Sequence, residues 1–421
     1  MKFTTVFFRI LSVLFVLRGT ASAQSTEDKL TDAIKHDDPT GVVSDLKTDP
    51  TLINKVNGDG WMPLHVAAFW GKTMAAQALA EHDATIDAKD PDGERPISLA
   101  ASSGNAAVVK LLLKFKSNPN TTNEAGETPL YEAAANGKLA CVAALIEAKA
   151  NINKATDAGM TPLDAASSGG YNDVVELLIK NKAGVNAQLH ADGSIVEGYS
   201  PLHFAAEGGH VDVVSTLLAH GAKLTLKGAN GNLPIHLAAT YHGNDSILKI
   251  LVDHGANINS LNNFHQTPLI LATWEAKMTT INALFNLGAD VNIADSAGDS
   301  PLHLVCHAGR IDLTGDMLLH NARINARNKA GQTPLMLAVQ GNYLPVITEQ
   351  IQRGADMTVR DNDKRTVMYY ISPGDFMFVA TKLLQSKGDL KVTDKDGLTP
   401  IQYYRKHGQD AIADYLLEQG K

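Results

Sequence analysis

Three short stretches contain the residue types that phosphate binding and nucleophilic chemistry use. Gly71-Lys72-Thr73 matches the end of a phosphate-binding loop, in which a glycine-rich backbone and a lysine cradle phosphates and a hydroxyl holds Mg²⁺. The glycine that such a loop needs five residues before Gly71 is Val66. Gly298-Asp299-Ser300 and Gly198-Tyr199-Ser200 begin like a nucleophile elbow, but Leu302 and Leu202 stand where its final glycine must be. Fifteen histidines offer possible metal ligands and two cysteines, Cys141 and Cys306, offer thiols, yet no Cys-x-x-Cys pair is present for zinc or thiol exchange. Whether any of these groups converge depends on the elements that carry them.

Those elements are set by a repeat. Tetrapeptides of the type Thr-Pro-Leu-His place prolines at 63, 96, 129, 162, 201, 234, 268, 301, 334 and 400, with Val367 in the remaining slot; the spacings are 33 or 34 except for one of 39. In Gly298-Asp-Ser300-Pro301 the glycine supplies the positive φ of a tight turn, Ser300 can cap a helix, and Pro301 takes the first helical position, where no N–H is needed. Small pairs such as Ala67-Ala68 and Ala205-Ala206 allow close approach of neighbouring helices, and Val213-Val214 with Leu217-Leu218 make the apolar face of a second helix. Gly221, Gly255, Gly288 and Gly354 then end that helix as left-handed caps.

This pattern resembles the ankyrin repeat, over about nine-tenths of the chain in eleven matched units. The resemblance implies an all-α solenoid of stacked helix-turn-helix units with β-hairpin fingers. It divides the chain into an N-terminal capping repeat at 24–56, ankyrin repeats at 57–393 and a C-terminal capping repeat at 394–421. In the first cap Leu30, Ile34, Val42, Val43 and Leu46 keep the apolar spacing; in the last, Ile401 and Leu416-Leu417 should face inward. Six extra residues within Gln188 to Glu197 lengthen one finger. The repeat at 361–393 departs most, with Lys364 for the finger glycine and Val367 for proline, and is expected to be the weakest; His265 also replaces a finger glycine.

The resemblance also accounts for the candidate chemistry. His65, His203, His236 and His303 are the family's tetrapeptide histidine, Ser200 and Ser300 are helix caps, and Cys141 and Cys306 fall at buried positions. His242 and His307 lie near the inner face but two repeats apart, about 20 Å at roughly 10 Å per helix layer, too far to share an ion. No acid, base, nucleophile and metal set converges, so the expectation is a non-catalytic protein with no cofactor and no metal.

What the family implies instead is a protein-binding scaffold whose fingers and first-helix ends form a concave surface. The partner-binding residues expected there are Trp61 on a finger, Phe69 and Trp70 at a helix end, and a second patch of Trp274 with Tyr199, Tyr241, Phe264, Glu275 and His307. Large exposed aromatics are the usual material of interface hot spots. The partners are proteins, one or more.

Residues 1–23 read as a signal peptide: Lys2 and Arg9 are basic, Ile10 to Leu17 apolar, and Ala21-Ser22-Ala23 a cleavage site before Gln24. The expectation is export, to a bacterial periplasm or beyond; the alternative is a secreted effector or inhibitor with the same binding role, whose target belongs to a foreign cell. An apolar run of eight residues between charges is too short to span a membrane, so no span is expected in the mature chain. Cleavage removes Lys2, Arg9 and Arg18 and moves the net charge from −8 to −11, which disfavours nucleic acid as a partner.

Overall fold

The computed structural model describes residues 25–190, 194, 196–240, 245–275 and 277–420. The proposed signal segment 1–23, Tyr241, His242 and part of the finger insertion lie outside them. The described residues hold 23 α-helices and no strand. Eleven antiparallel pairs recur, from Thr26–Lys35 with Pro39–Thr48 to Pro400–Lys406 with Asp410–Gln419, each joined by a turn of a few residues. One repeat differs: its first helix is a 3₁₀ turn, Val367–Tyr369, followed by the helix Phe376–Gln385.

The chain forms two compact units, residues 1–166 with 180–183 and residues 167–179 with 184–421. Within each, the core is the stacked apolar face of successive pairs: Leu64, Ala67, Ala68, Ile97, Ala100 and Ala101 in the first, Leu202, Ala205, Ala206, Leu237, Ala238 and Ala239 in the second, all buried. Alanine at the paired positions brings first helices together, and every repeat closes its core only against the next.

The fingers are hairpin turns rather than two-stranded ribbons. The finger at 295–299 closes on two backbone hydrogen bonds, from the Asp295 N–H to the Asp299 carbonyl (3.0 Å) and from the Gly298 N–H to the Asp295 carbonyl (2.9 Å), and links to its neighbour by another, from the Lys329 N–H to the Ala297 carbonyl (3.0 Å), a pattern most fingers share. No ladder forms because the arms turn into helices immediately. Eight fingers are braced by the side chain that opens them: Asp295 Oδ1 accepts from the N–H groups of Ala297 and Asp299, and Asn57, Asp90, Asn123, Asn262, Asn328, Asp361 and Asp394 repeat the device. Lys364 and His265, which stand for finger glycines, adopt the left-handed conformation all the same, at φ 62° and 57°.

The tetrapeptide histidine does two jobs. His303 Nδ1 accepts from the Ser300 N–H (3.2 Å) and the Ser300 hydroxyl (2.9 Å), while Nε2–H donates to the Gln332 carbonyl (3.1 Å) in the next repeat. The serine hydroxyl therefore serves the imidazole, and the imidazole fixes the helix start to the following finger. His65 reaches the carbonyls of Ala88 and Glu94 in the same way, His203 that of Asn232, and His236 those of Ser260 and Gln266. In the divergent repeat Tyr369 takes over: its hydroxyl lies 2.6 Å from the Val392 carbonyl and 2.7 Å from that of Leu398, the same sequence offsets that His65 spans. Tyr404 Oη supports the shortened turn by accepting from the Ile371 N–H (2.8 Å) and donating to the Met368 carbonyl (3.1 Å).

At the C-terminal end Leu416 is buried, but Leu417 is exposed, contrary to the sequence expectation, because helix Asp410–Gln419 presents only one face to its neighbour. Ile401 is half-buried. Cys141 and Cys306 are buried free thiols, which burial pushes up to about 11 and about 12 respectively.

Burial holds His203 and His236 neutral, pulling each from 6.5 down to about 4. Below pH 6.5 the unfolded chain takes up protons that the folded chain refuses, so their contribution is complete above pH 6.5 and is lost as the pH falls toward 4. Each histidine should cost about 2 kcal/mol at pH 5 relative to pH 7. Glutamine fills the same slot in the last repeat, where Gln402 Oε1 accepts from the Thr399 N–H (2.9 Å). The double variant His203→Gln/His236→Gln should therefore lose about 4 kcal/mol less than the parent over that interval, read from urea denaturation at the two pH values. A second outcome follows from Tyr369: Tyr369→Phe leaves the Val392 carbonyl without its donor and the Leu398 carbonyl with the Asp394 N–H alone, and should destabilise by about 1–3 kcal/mol, with faster amide hydrogen exchange concentrated between residues 367 and 404.

Candidate interaction surface

Trp61, Phe69 and Trp70 come together. Trp61 closes the first finger, where its N–H donates to Asn57 Oδ1 (2.9 Å), and Phe69 and Trp70 end the helix Pro63–Phe69. The Trp61 and Phe69 rings are 5.2 Å apart and tilted, and Phe69 meets Trp70 edge-on at 5.4 Å. Trp61 Nε1 donates to Asp90 Oδ2 (3.0 Å), so the indole is held by the next finger. Trp70 is 48% exposed. This is an aromatic surface whose Trp61 indole N–H is satisfied and held in place, able to take apolar side chains of a protein at small ordering cost.

The second expected patch is only partly assembled. Trp274 is 65% exposed at the end of Pro268–Glu275, Phe264 is 48% exposed on a finger, and Glu275 and His307 are also exposed. No ring contact joins Trp274 to Phe264 among the described residues, and Tyr241 lies outside them. Tyr199 does not belong to the surface: it is buried, stacked on His203 at 5.1 Å and edge-on to Phe204 at 5.4 Å. It precedes the cap residue Ser200 and fills the space above Gly228, where even a Cβ would come within 2.6 Å of its ring.

Two features escaped the sequence reading. A cleft of about 560 Å³ opens at the divergent repeat, lined by Asp361, Arg365, Tyr369, Tyr370, Tyr403 and Tyr404 among others. The Arg365 guanidinium sits 4.7 Å over the Tyr403 ring and 3.2 Å from Asp363, and the Tyr370 hydroxyl donates to Asp361 Oδ2. Its tyrosines were legible as residues, but the cleft exists because the first helix shortens to a 3₁₀ turn. The other feature is a group of three carboxylates, Glu94, Glu127 and Glu132, whose oxygens lie within 4.8 Å of one another. Burial, together with the charge of Glu94, pushes the Glu132 carboxyl well above the ordinary carboxylate range, and burial raises Glu94.

Among the described residues the histidines form no such group. His82, His220, His254, His320 and His407 each place Nδ1 against the carbonyl four residues before, at helix ends. Gly71 turns one helix into the next at φ 68°, and the lysine and threonine after it begin Thr73–Glu81 as an ordinary second helix.

The profile for ankyrin repeats (3 copies) matches residues 30–123, 98–189, 183–262, 202–295 and 269–361, well over half of the chain, and the chain belongs to the ankyrin-repeat family. The matches end at 361, where the divergent repeat begins. Among solved structures, the ankyrin repeat domain of human ASB11 is similar, with a TM-score of 0.50 and 27% identity, covering 55% of this chain and 99% of that one. No curated protein matches. Ankyrin repeats are in general protein-interaction modules, which fits a non-catalytic chain with protein partners.

Proposed function

We propose that this protein is a non-catalytic scaffold that, after export, holds one or more partner proteins against the side of its repeats that carries the fingers and first-helix ends. The observation that supports this most directly is the aromatic cluster in which exposed Trp70 packs on half-buried Phe69 and Phe69 on half-buried Trp61, with Trp61 pinned by Asp90. Pinned aromatics lose little freedom on binding, which is how a few side chains come to carry most of an interface's energy. Trp274 and Phe264 supply a second anchor, with Glu275 and His307 as polar rim. The reading places cleavage after Ala23 and the mature chain in the periplasm or outside the cell; a secreted effector or inhibitor acting on a foreign cell's protein would use the same surface.

The test is expression of the whole chain with a C-terminal tag, sequencing of the mature N-terminus in each cell fraction, and capture of co-purifying proteins beside Trp70→Ala and Trp274→Ala variants. A mature chain starting at Gln24 outside the cytoplasm, with a partner lost on Trp70→Ala while thermal unfolding is unchanged, supports the reading. An uncleaved cytoplasmic chain refutes export. Equal capture by both folded variants refutes the aromatic surface. Trp70→Ala should weaken a genuine partner by at least about 2 kcal/mol, roughly thirtyfold in Kd.

A further inference from the structure

Position three after the repeat proline is apolar in repeat after repeat: Leu99, Phe204, Leu237, Leu271, Leu304 and Leu337. In one repeat it is Glu132. The side chain is buried, only 9% exposed, and its Oε1 has no hydrogen-bond partner. An ionised carboxylate in that situation costs several kcal/mol unless something neutralises it.

Around Glu132 stand two more carboxylates. Glu94 and Glu127 occupy the same finger position in consecutive repeats, two residues before Pro96 and Pro129. Asn123 holds both: its Nδ2 donates to Glu94 Oε1 (2.6 Å) and to Glu127 Oε2 (2.7 Å), and its Oδ1 is in turn fixed by the N–H groups of Ala125 and Glu127. The amide uses one oxygen of each carboxylate. On Glu94 the other, Oε2, is buried and without a hydrogen-bond partner, like Oε1 of Glu132. Among the described residues no lysine or arginine forms an ion pair with any of the three, and the neighbouring Arg95 is engaged on the Thr122 carbonyl (2.8 Å).

We propose that Glu94, Glu127 and Glu132 bind a hard divalent cation, with Ca²⁺ as the ion of choice. One oxygen from each lies within 4.8 Å of the others, and two ligands on opposite sides of Ca²⁺ at about 2.4 Å are about 4.8 Å apart. The donors are all carboxylate oxygens, which suit Ca²⁺, Mg²⁺ or Mn²⁺ and not the softer metals that thiolate and imidazole select. Glu132 is the buried floor. Glu94 and Glu127 are half-buried, leaving a side from which the ion enters and keeps water ligands. A proton shared between Glu94 and Glu132 would join those two carboxyls and remove one charge of three; a divalent ion removes two charges and engages all three carboxylates.

The test uses the purified full chain after chelator treatment, titrated by calorimetry with CaCl₂ and separately with MgCl₂. The expected result is one Ca²⁺ per chain with a Kd of about 0.1–1 mM, the range of sites with few protein ligands outside cells, Mg²⁺ weaker, and a higher thermal midpoint in Ca²⁺. Glu132→Gln should weaken Ca²⁺ binding at least about tenfold. Its midpoint without Ca²⁺ should equal or exceed the parent's, since the amide keeps the shape and removes a buried charge. Glu124→Gln, at an exposed glutamate of the same finger, should bind like the parent. No binding heat and no thermal shift up to about 10 mM would overturn the proposal and leave the shared proton as the means of neutralisation. So would a Glu132→Gln variant that binds unchanged, or a Glu124→Gln variant that loses as much, since the ion would then sit on the general acidic surface.

Discussion

A pair of helices of seven to ten residues has no inside, and the finger that leads into the next pair carries carbonyls that the stack buries. Tying those carbonyls across the seam is the constraint that five of the repeats meet: each finger's closing carbonyl already accepts its own finger's N–H, and a side-chain donor two residues after the preceding proline position adds a second bond that locks one repeat to the next. His65, His203, His236 and His303 meet it with Nε2–H, and Tyr369 meets it with a hydroxyl. The donor must be at one position, two residues after the proline, and must reach one place. The alanine pairs keep the helices close enough for that reach, and the bracing Asp or Asn keeps the finger carbonyls in line.

Because the seam fixes the backbone so tightly, variation in side chains at the same slots changes chemistry without changing fold. Asp164 replaces the histidine and closes its helix start on Thr161 through Oδ2, at 2.6 Å from the hydroxyl. Burial lifts that carboxyl to about 6, the cost of putting an acid where an uncharged ring normally stands. Glu132 is the sharper case, one slot further along, where hydrocarbon is the rule. A scaffold made of repeats tolerates such residues singly, since the neighbours on either side hold the backbone in place.

The proline register made the helix starts legible, and with them the solenoid, because proline, its capping residue and the finger glycine each have a local physical role. The unread features are those that depend on two repeats at once. Periodicity says that Glu94 and Glu127 are equivalent; it does not say that a third glutamate meets them across the seam. The same limit applies to Tyr199, expected with the aromatics of the Trp274 patch, which packs instead on His203 and over Gly228. Leu417 was misplaced for a different reason: at the last helix half of the apolar stripe has no neighbour to cover it. The bracing role of Asp295 and its equivalents is legible in the sequence, as an Asp or Asn four residues before the end of most turns, a signal as local as the finger glycine.

Asp90 shows how closely such features are coupled in a structure this repetitive. It is buried, with Oδ2 holding the Trp61 indole and Oδ1 holding the N–H groups of Asp92 and Glu94. The aromatic surface and the carboxylate group are thus fastened to the same finger by the two oxygens of one side chain. Neither can shift without lengthening a hydrogen bond to Asp90, and in a buried setting those bonds are costly to lose. The orientation of Trp61 therefore depends on the state of the finger that carries Glu94, and the two surfaces share a mechanical element that the linear sequence separates by 33 residues of otherwise ordinary repeat.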